Sequence, residues 1–293
     1  MNKNNRLFKL IILISLVVIL SILPSCDLID LNVTQAPLPV PGDDLIVHFI
    51  DVGQGDSILI QFPEGETLLI DASTRSRGND VVSYLKNNGI SAIDYLVATH
   101  PHEDHIGGLT KVIDEFDIGK IYMPKVAHTT KTYEDLLTVI KEKNLKVTTA
   151  KVGVTIFENP EINVKILAPA SDKYKEINDY SAVIKIKYNQ TSFLFMGDAM
   201  AASEKELLSE DISANLIKIG HHGSNSSTNN KFLEKVNPEY AVISCGTDNS
   251  YGHPAENILK KLAENDIDTY RTDKSGTIIA ASDGTDITIS KER

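Results

Sequence analysis

The sequence predicts an α/β fold in which sheets are sandwiched between helices. Three observations carry this. Short runs rich in Val, Ile, Leu and Phe alternate with helix-like runs along most of the chain. The early runs are joined by turns alone, as in a meander, whereas helical crossovers separate the later ones. The clusters of His and Asp each follow a strand-like run, where α/β architectures place their sites.

The first 44 residues read as an address and a tether. Lys3, Arg6 and Lys9 form a positive region ahead of an apolar stretch, residues 10–23, of signal-peptide length and short for a spanning helix. Leu23-Pro24-Ser25-Cys26 resembles a bacterial lipobox with Cys26 as the lipidation site. Residues 1–26 are therefore expected to be a lipoprotein-type signal peptide, with an uncleaved signal anchor as the alternative. Either arrangement puts the body at the extracytoplasmic face of the cell membrane. Residues 27–44, with Pro37, Pro39, Pro41 and Gly42, read as a stiffened tether. Of the two cysteines, only Cys245 lies in the body, inside an apolar run, where it reads as a buried inert thiol. A disulfide framework is excluded.

The body, residues 45–293, has ordinary globular composition: the chain is 24% charged and 42% hydrophobic, which excludes wholesale disorder. Strand-like runs cover residues 45–50, 57–62, 67–70, 95–98, 120–123, 164–168, 182–188, 192–196, 216–219, 241–244 and 277–280. Helix-like runs cover 80–88, closed by Gly89 as a C-terminal cap, then 107–116, 133–143, 231–236 and 254–265. Ser203-Glu-Lys-Glu206 has capping-box spacing at the start of a further helix. The formal charge is −11 although the leader is basic, so the body is strongly acidic, which argues against a broad basic groove for nucleic acid. Lys218, Lys231, Lys235, Lys260, Lys261, Arg271 and Lys274 form a modest local excess, either a solvated face or a phosphate-tracking patch.

The densest polar cluster is Thr99-His100-Pro-His102-Glu-Asp104-His105-Ile-Gly107-Gly108. Three imidazoles and a carboxylate in so tight a turn exceed what a core can satisfy, and they point to a metal site. His100 and His102 can face one ion, and Asp104 and His105 a neighbouring one. Met196-Gly-Asp198 delivers a carboxylate at a strand end, where its two oxygens can bridge two cations. His221-His222-Gly-Ser224 and Tyr251-Gly-His253-Pro254 bring further imidazoles.

His100-x-His102-x-Asp104-His105 resembles the signature of the metallo-β-lactamase-fold hydrolases, and Leu69-Ile-Asp71-Ala resembles their early aspartate. Asp51-Val-Gly-Gln-Gly-Asp56-Ser57, Asn178-Asp-Tyr-Ser181, Met196-Gly-Asp198, His221-His-Gly-Ser224 and Tyr251-Gly-His-Pro254, in that order, are similar to the C-terminal soluble domain of the ComEC/Rec2 competence proteins and their stand-alone relatives. The resemblance implies an αββα sandwich of two mixed β-sheets flanked by helices. It implies two divalent metal ions, Zn²⁺ or Mn²⁺: one held by His100 and His102, the other by Asp104 and His105 with His221 or His222, and Asp198 bridging. The further histidine that lactamase-type members carry is missing, and Asp179 is the candidate oxygen ligand in its place. Asp71 and Asp51 would brace the ligands from behind, Ser224 and Asn225 would donate to substrate, and Asp104, His253 and His222 would serve the chemistry. A cation pair activates water and clamps phosphoryl oxygens. The expected function is thus a membrane-anchored dinuclear hydrolase, a phosphodiesterase or nuclease acting as a monomer on DNA, with DNA-uptake or envelope partners. Two alternatives are an envelope phosphoester hydrolase of the phosphorylcholine-esterase type and a non-catalytic lipid-anchored binding protein.

Overall fold

In the computed structural model, residue 42, residues 44–247 and residues 249–293 are described. The signal peptide, Cys26 and nearly all of the expected tether lie outside the described residues, and no helix among the described residues is long and apolar enough to cross a membrane.

Fifteen strands among the described residues form two mixed sheets. The first contains β1 (Leu45–Phe49), β2 (Ile58–Gln61), β3 (Thr67–Ile70), β4 (Ala92–Val97), β5 (Asp117–Met123), β6 (Val147–Thr149), β14 (Ile278–Ser282) and β15 (Ile287–Lys291). Its spatial order is β15-β14-β1-β2-β3-β4-β5-β6. The second contains β7 (Val154–Glu158), β8 (Ile162–Ala168), β9 (Val183–Tyr188), β10 (Thr191–Phe195), β11 (Leu216–Lys218), β12 (Tyr240–Ile243) and β13 (Asp268–Arg271). It is ordered β13-β12-β11-β10-β9-β8-β7. Each sheet is antiparallel on one side and parallel on the other: β3 to β6 run parallel in the first, β10 to β13 in the second.

The sequence pattern explains the layering. Successive side chains on a strand point to opposite faces. On β1, Leu45, Val47 and Phe49 face the second sheet and join Ile184, Ile186, Phe193 and Phe195 in a core between the sheets. The Phe49 and Phe195 rings meet there at 6.1 Å. The other face of the first sheet is covered by helices Gly78–Asn87, Leu109–Glu115 and Lys131–Glu142. The outer face of the second is covered by Ala201–Leu207, Asn230–Val236 and Glu256–Glu264. Helix Lys131–Glu142 buries Thr132, Leu136, Val139 and Ile140, one stripe at helical spacing, and Thr130 caps it by accepting the Tyr133 N–H. Gly89 adopts φ +77° after the first helix and closes it, as its position predicts. The result is an αββα sandwich.

All eleven strand-like runs coincide with observed strands. The four strands not anticipated, β6, β7, β13 and β15, are the four sheet edges. Edge strands keep exposed polar positions, so they lack the continuous apolar runs that mark the interior. Ser203 is not a cap: it sits inside helix Ala201–Leu207, whose first N–H groups are taken by Asp179.

His48 on β1 is buried between Gln61 and Tyr84, with Nε2 2.9 Å from Gln61 Oε1 and Nδ1 2.9 Å from the Tyr84 hydroxyl. Burial, partly offset by Gln61, lowers its pKa from 6.5 to about 4. The folded state therefore holds His48 neutral where the unfolded chain protonates it. Its contribution to stability is complete above pH 6.5 and declines as pH falls toward 4, by about 3 kcal/mol in total. Denaturant titrations at pH 7 and pH 4.5 should show a smaller pH-dependent loss in His48→Gln than in the parent chain. Equal losses would contradict this.

Candidate metal centre

The polar clusters meet at the carboxyl ends of the parallel strands. β3 ends at Asp71, β4 leads into Thr99 to His105, β10 into Asp198, and β11 into His221 and His222. Three loops from the first sheet are tied together by backbone bonds: Asp56 N–H donates to Asp104 O, Ser73 N–H to Asp56 O, and Ala72 N–H to His105 O. This close approach requires Gly55, which has φ +131° and where a Cβ would overlap the Asp104 carbonyl oxygen.

His100, His102 and Asp198 form one donor group, and Asp104, His105 and His222 another, with the ligand atoms of each group within 4.8 Å of one another. Asp198 stands between them. Its Oδ1 lies 3.2 Å from His105 Nε2 and 3.5 Å from His222 Nε2, and its Oδ2 3.7 Å from His100 Nε2. His222 Nε2 is also 3.3 Å from Asp104 Oδ2. Three atoms at the heart of this cluster, His105 Nε2, His222 Nε2 and Asp198 Oδ1, are buried and make no hydrogen bond. Buried polar atoms are almost always partnered. Converging orphaned donors of the types that bind divalent cations fit a metal centre.

The ring nitrogens are fixed from behind. Asp71 is fully buried, and its Oδ2 accepts from the Thr99 hydroxyl at 2.6 Å and lies 2.7 Å from His105 Nδ1. With its proton committed to Asp71, Thr99 Oγ1 accepts from His100 Nδ1 at 3.1 Å. One carboxylate thus turns the Nε2 atoms of two histidines toward the cluster. His222 Nδ1 donates to the Ser244 carbonyl at 3.0 Å, which leaves its Nε2 free as well.

His221 and His222 both lie in the left-handed region, at φ 49° and 53°. That conformation costs on the order of 1–3 kcal/mol per residue and is characteristic of functional sites. Here it splits the pair across the bridging carboxylate. His222 faces Asp198 Oδ1, and His221 Nε2 lies 3.8 Å from Oδ2, the oxygen that His100 faces. A ladder of hydroxyls orients His221: its Nδ1 is 2.8 Å from Ser226 Oγ, which donates to Ser224 Oγ at 3.0 Å.

Charge is balanced inside the cluster. Burial would push Asp198 up, but His105 and His222 outweigh it and hold the carboxyl well below its usual range. Burial would lower His222, but Asp198, Asp104 and Asp56 raise it to about 9. Burial, with His105 next, keeps His100 well below the ordinary imidazole range, and burial likewise lowers His102, so both remain neutral.

Four expectations are corrected. Asp179 is not brought into the cluster: its Oδ1 accepts from Met200 N–H and Ser203 N–H at the start of helix Ala201–Leu207. Its neighbour Asn178 is there instead, with Nδ2 3.2 Å from His221 Nε2 and a buried Oδ1 that has no hydrogen-bond partner. Asp51 does not brace the ligands, because its carboxylate accepts from Gly53 N–H and Arg293. Asp56 lies behind them, with Oδ1 3.4 Å from His222 Nδ1 and Oδ2 bonded to Lys218. Lys218 belongs to no surface patch, being fully buried in that ion pair. Ser224 Oγ accepts from the Ser226 N–H and hydroxyl, and neither Ser224 nor the exposed Asn225 lines the cleft.

The cluster opens into a cleft of about 400 Å³ that His253 also lines, its ring 5.5 Å from His221. Gln54, His128, Thr130 and Tyr251 line it too and were not expected as site residues: Gln54 and Tyr251 lie in motifs dominated by their Asp and His residues, and His128 and Thr130 are single loop residues outside any motif.

The model of the metallo-β-lactamase superfamily matches residues 50–247. Relatives include ComE operon protein 3 of Bacillus subtilis, 28% identical over 79% of this chain and 32% of its own length. Competence protein ComA of Neisseria gonorrhoeae is 27% identical over 84% of this chain and 33% of its own. The chain thus spans about a third of the length of these relatives. Among solved structures, the metallo-β-lactamase fold protein YhfI from Bacillus subtilis superposes with a TM-score of 0.52 at 13% identity, covering 82% of this chain and all of YhfI. The chain belongs to the metallo-β-lactamase superfamily and has homologues among the ComEC-type competence proteins.

Proposed function

We propose that the chain is a dinuclear metal-dependent phosphodiesterase that acts on DNA and is held at the outer face of the cell membrane by its first 44 residues. The observation that carries this is the position of Asp198, one oxygen toward each donor group and one oxygen buried without a hydrogen bond. The relation to competence proteins supports a DNA substrate, and the basic and apolar leader with Cys26 supports the location.

His100, His102 and Asp198 would hold one cation, with His221 beside them, and Asp104, His105, His222 and Asp198 the other. These imidazole and carboxylate donors suit Zn²⁺ or Mn²⁺. A bound pair of divalent cations supplies Lewis acidity to phosphoryl oxygens and lowers the pKa of water. Asp104, with its side chain 29% exposed to the cleft, orients the attacking water and takes its proton. His253, kept neutral by burial, donates a hydrogen bond to the phosphoryl group or its leaving oxygen.

The full chain should retain close to two equivalents of Zn²⁺ or Mn²⁺ by elemental analysis and hydrolyse bis-p-nitrophenyl phosphate. Asp104→Ala should lower kcat by about 100-fold or more. A chain that binds no metal and turns over nothing with either ion would sink the proposal.

The buried Lys218–Asp56 pair holds the back of His222. Removing one partner of a buried ion pair costs about 3–5 kcal/mol, whereas removing both costs far less. Lys218→Met should therefore destabilise the metal-free chain by about that amount in urea, and the double variant Asp56→Asn with Lys218→Met should recover most of the loss. Equal destabilisation of the single and double variants would show that the pair does not act as a unit.

A further inference from the structure

Three rings stand in series between the metal centre and the surface. His222, a member of the second donor group, lies 6.5 Å from His253 at an interplanar angle of 28°. His253 lies 5.8 Å from Tyr251 at 21°. Tyr251 is 69% exposed, while the other exposed large apolar side chains among the described residues, Leu137 and Val147, sit on the outer helix and on an edge strand. The phenol ring therefore lies against imidazole on one side, is largely exposed to solvent, and belongs to the cleft lining.

The loop carrying Tyr251 is clamped at its base. Asn249 Nδ2 donates to the Gly246 and His253 carbonyls at 2.9 and 2.6 Å, and its Oδ1 accepts from His253 N–H at 3.0 Å. A loop fixed at its base loses less freedom when a planar ligand stacks on the ring it carries. The remaining described cleft residues offer imidazoles, amides, a hydroxyl and carboxylates. Such a lining grips a ring and one phosphoryl group far better than a run of phosphates, which cationic side chains would track.

We propose that Tyr251 is the stacking platform for an unpaired nucleobase, so that the cleft takes single strands and nucleotide-bearing ends in preference to duplex. A base inside a duplex has both faces covered by its neighbours, whereas an unpaired base has a free face and stacks on aromatic side chains whatever its sequence. The substrate class named here rests on the phosphodiesterase reading for its chemistry, but base stacking can be read without turnover.

The test uses the full chain loaded with Mn²⁺, and the binding arm compares parent and Tyr251 variants in an Asp104→Ala background so that the oligonucleotide is not cleaved. Anisotropy of a fluorescein-labelled thymidine oligonucleotide should show binding that weakens on the order of tenfold in Tyr251→Ala and stays within about twofold in Tyr251→Phe. A blunt duplex of equal length should bind more weakly than the single strand. In parallel, kcat/KM is compared for the p-nitrophenyl ester of thymidine 5′-phosphate and for methyl p-nitrophenyl phosphate, which share a leaving group and differ in the nucleoside. Their ratio should fall by a similar factor in Tyr251→Ala. Failure of the parent chain to bind the oligonucleotide, or equal binding by the parent and Tyr251→Ala, would overturn the platform, as would an unchanged ester ratio. Tyr251-dependent binding with no turnover of either ester would leave the platform standing and remove the hydrolase reading.

Discussion

Asp198 is 2% exposed and sits with His100 on one oxygen and His105 and His222 on the other. An ionised carboxylate out of water is sustained only by opposite charge or by a metal. Asp56 and Asp71 are buried within the same few ångströms, so the fold concentrates acid groups where it has the least solvent to stabilise them. Imidazoles and one lysine offset this charge, and the result is a cluster with donor atoms left over. Those surplus donors are what fits the place to hold metal ions and sets it apart from a closed polar core.

Two sheets are needed to build it. Asp71 and the His100–His105 turn come from β3 and β4 of the first sheet, and Asp198, His221 and His222 from β10 and β11 of the second. The buried ion pair between Asp56, just ahead of β2, and Lys218 on β11 crosses from one sheet to the other beneath the ligands. The Ala182 N–H, at the start of β9, donates to Thr99 O beside the first histidine. The apolar layer between the sheets therefore sets the spacing of the donor groups, and the parallel halves aim their carboxyl ends at the same cleft.

The interior of the fold was legible because buried strands carry continuous apolar runs, and the four edges were not, because β6, β7, β13 and β15 answer to solvent as much as to the core. The metal-type residues stood out because His and Asp crowd into short turns that no ordinary core tolerates. Supporting residues were harder. Asp51 and Asp56 share one Gly-rich turn, and only the packed loops decide which carboxylate points inward. Asn178 and Asp179 are adjacent, and the start of a helix claims the acid while the amide is left in the site. Lys218 reads as surface charge in sequence, yet its partner is 162 residues away. Tyr251 opens the Tyr251-Gly-His-Pro254 motif, but only its stacking on His253 and its exposure give the ring itself a place in the site.

The most direct measurement is an anomalous difference map from crystals of the metal-loaded chain, collected at the absorption edge of the bound ion. The account predicts two peaks flanking the Asp198 carboxylate, one beside His100 and His102 and one beside Asp104, His105 and His222. A map with no peak there, or with density confined to surface carboxylates, would contradict a dinuclear centre built on Asp198.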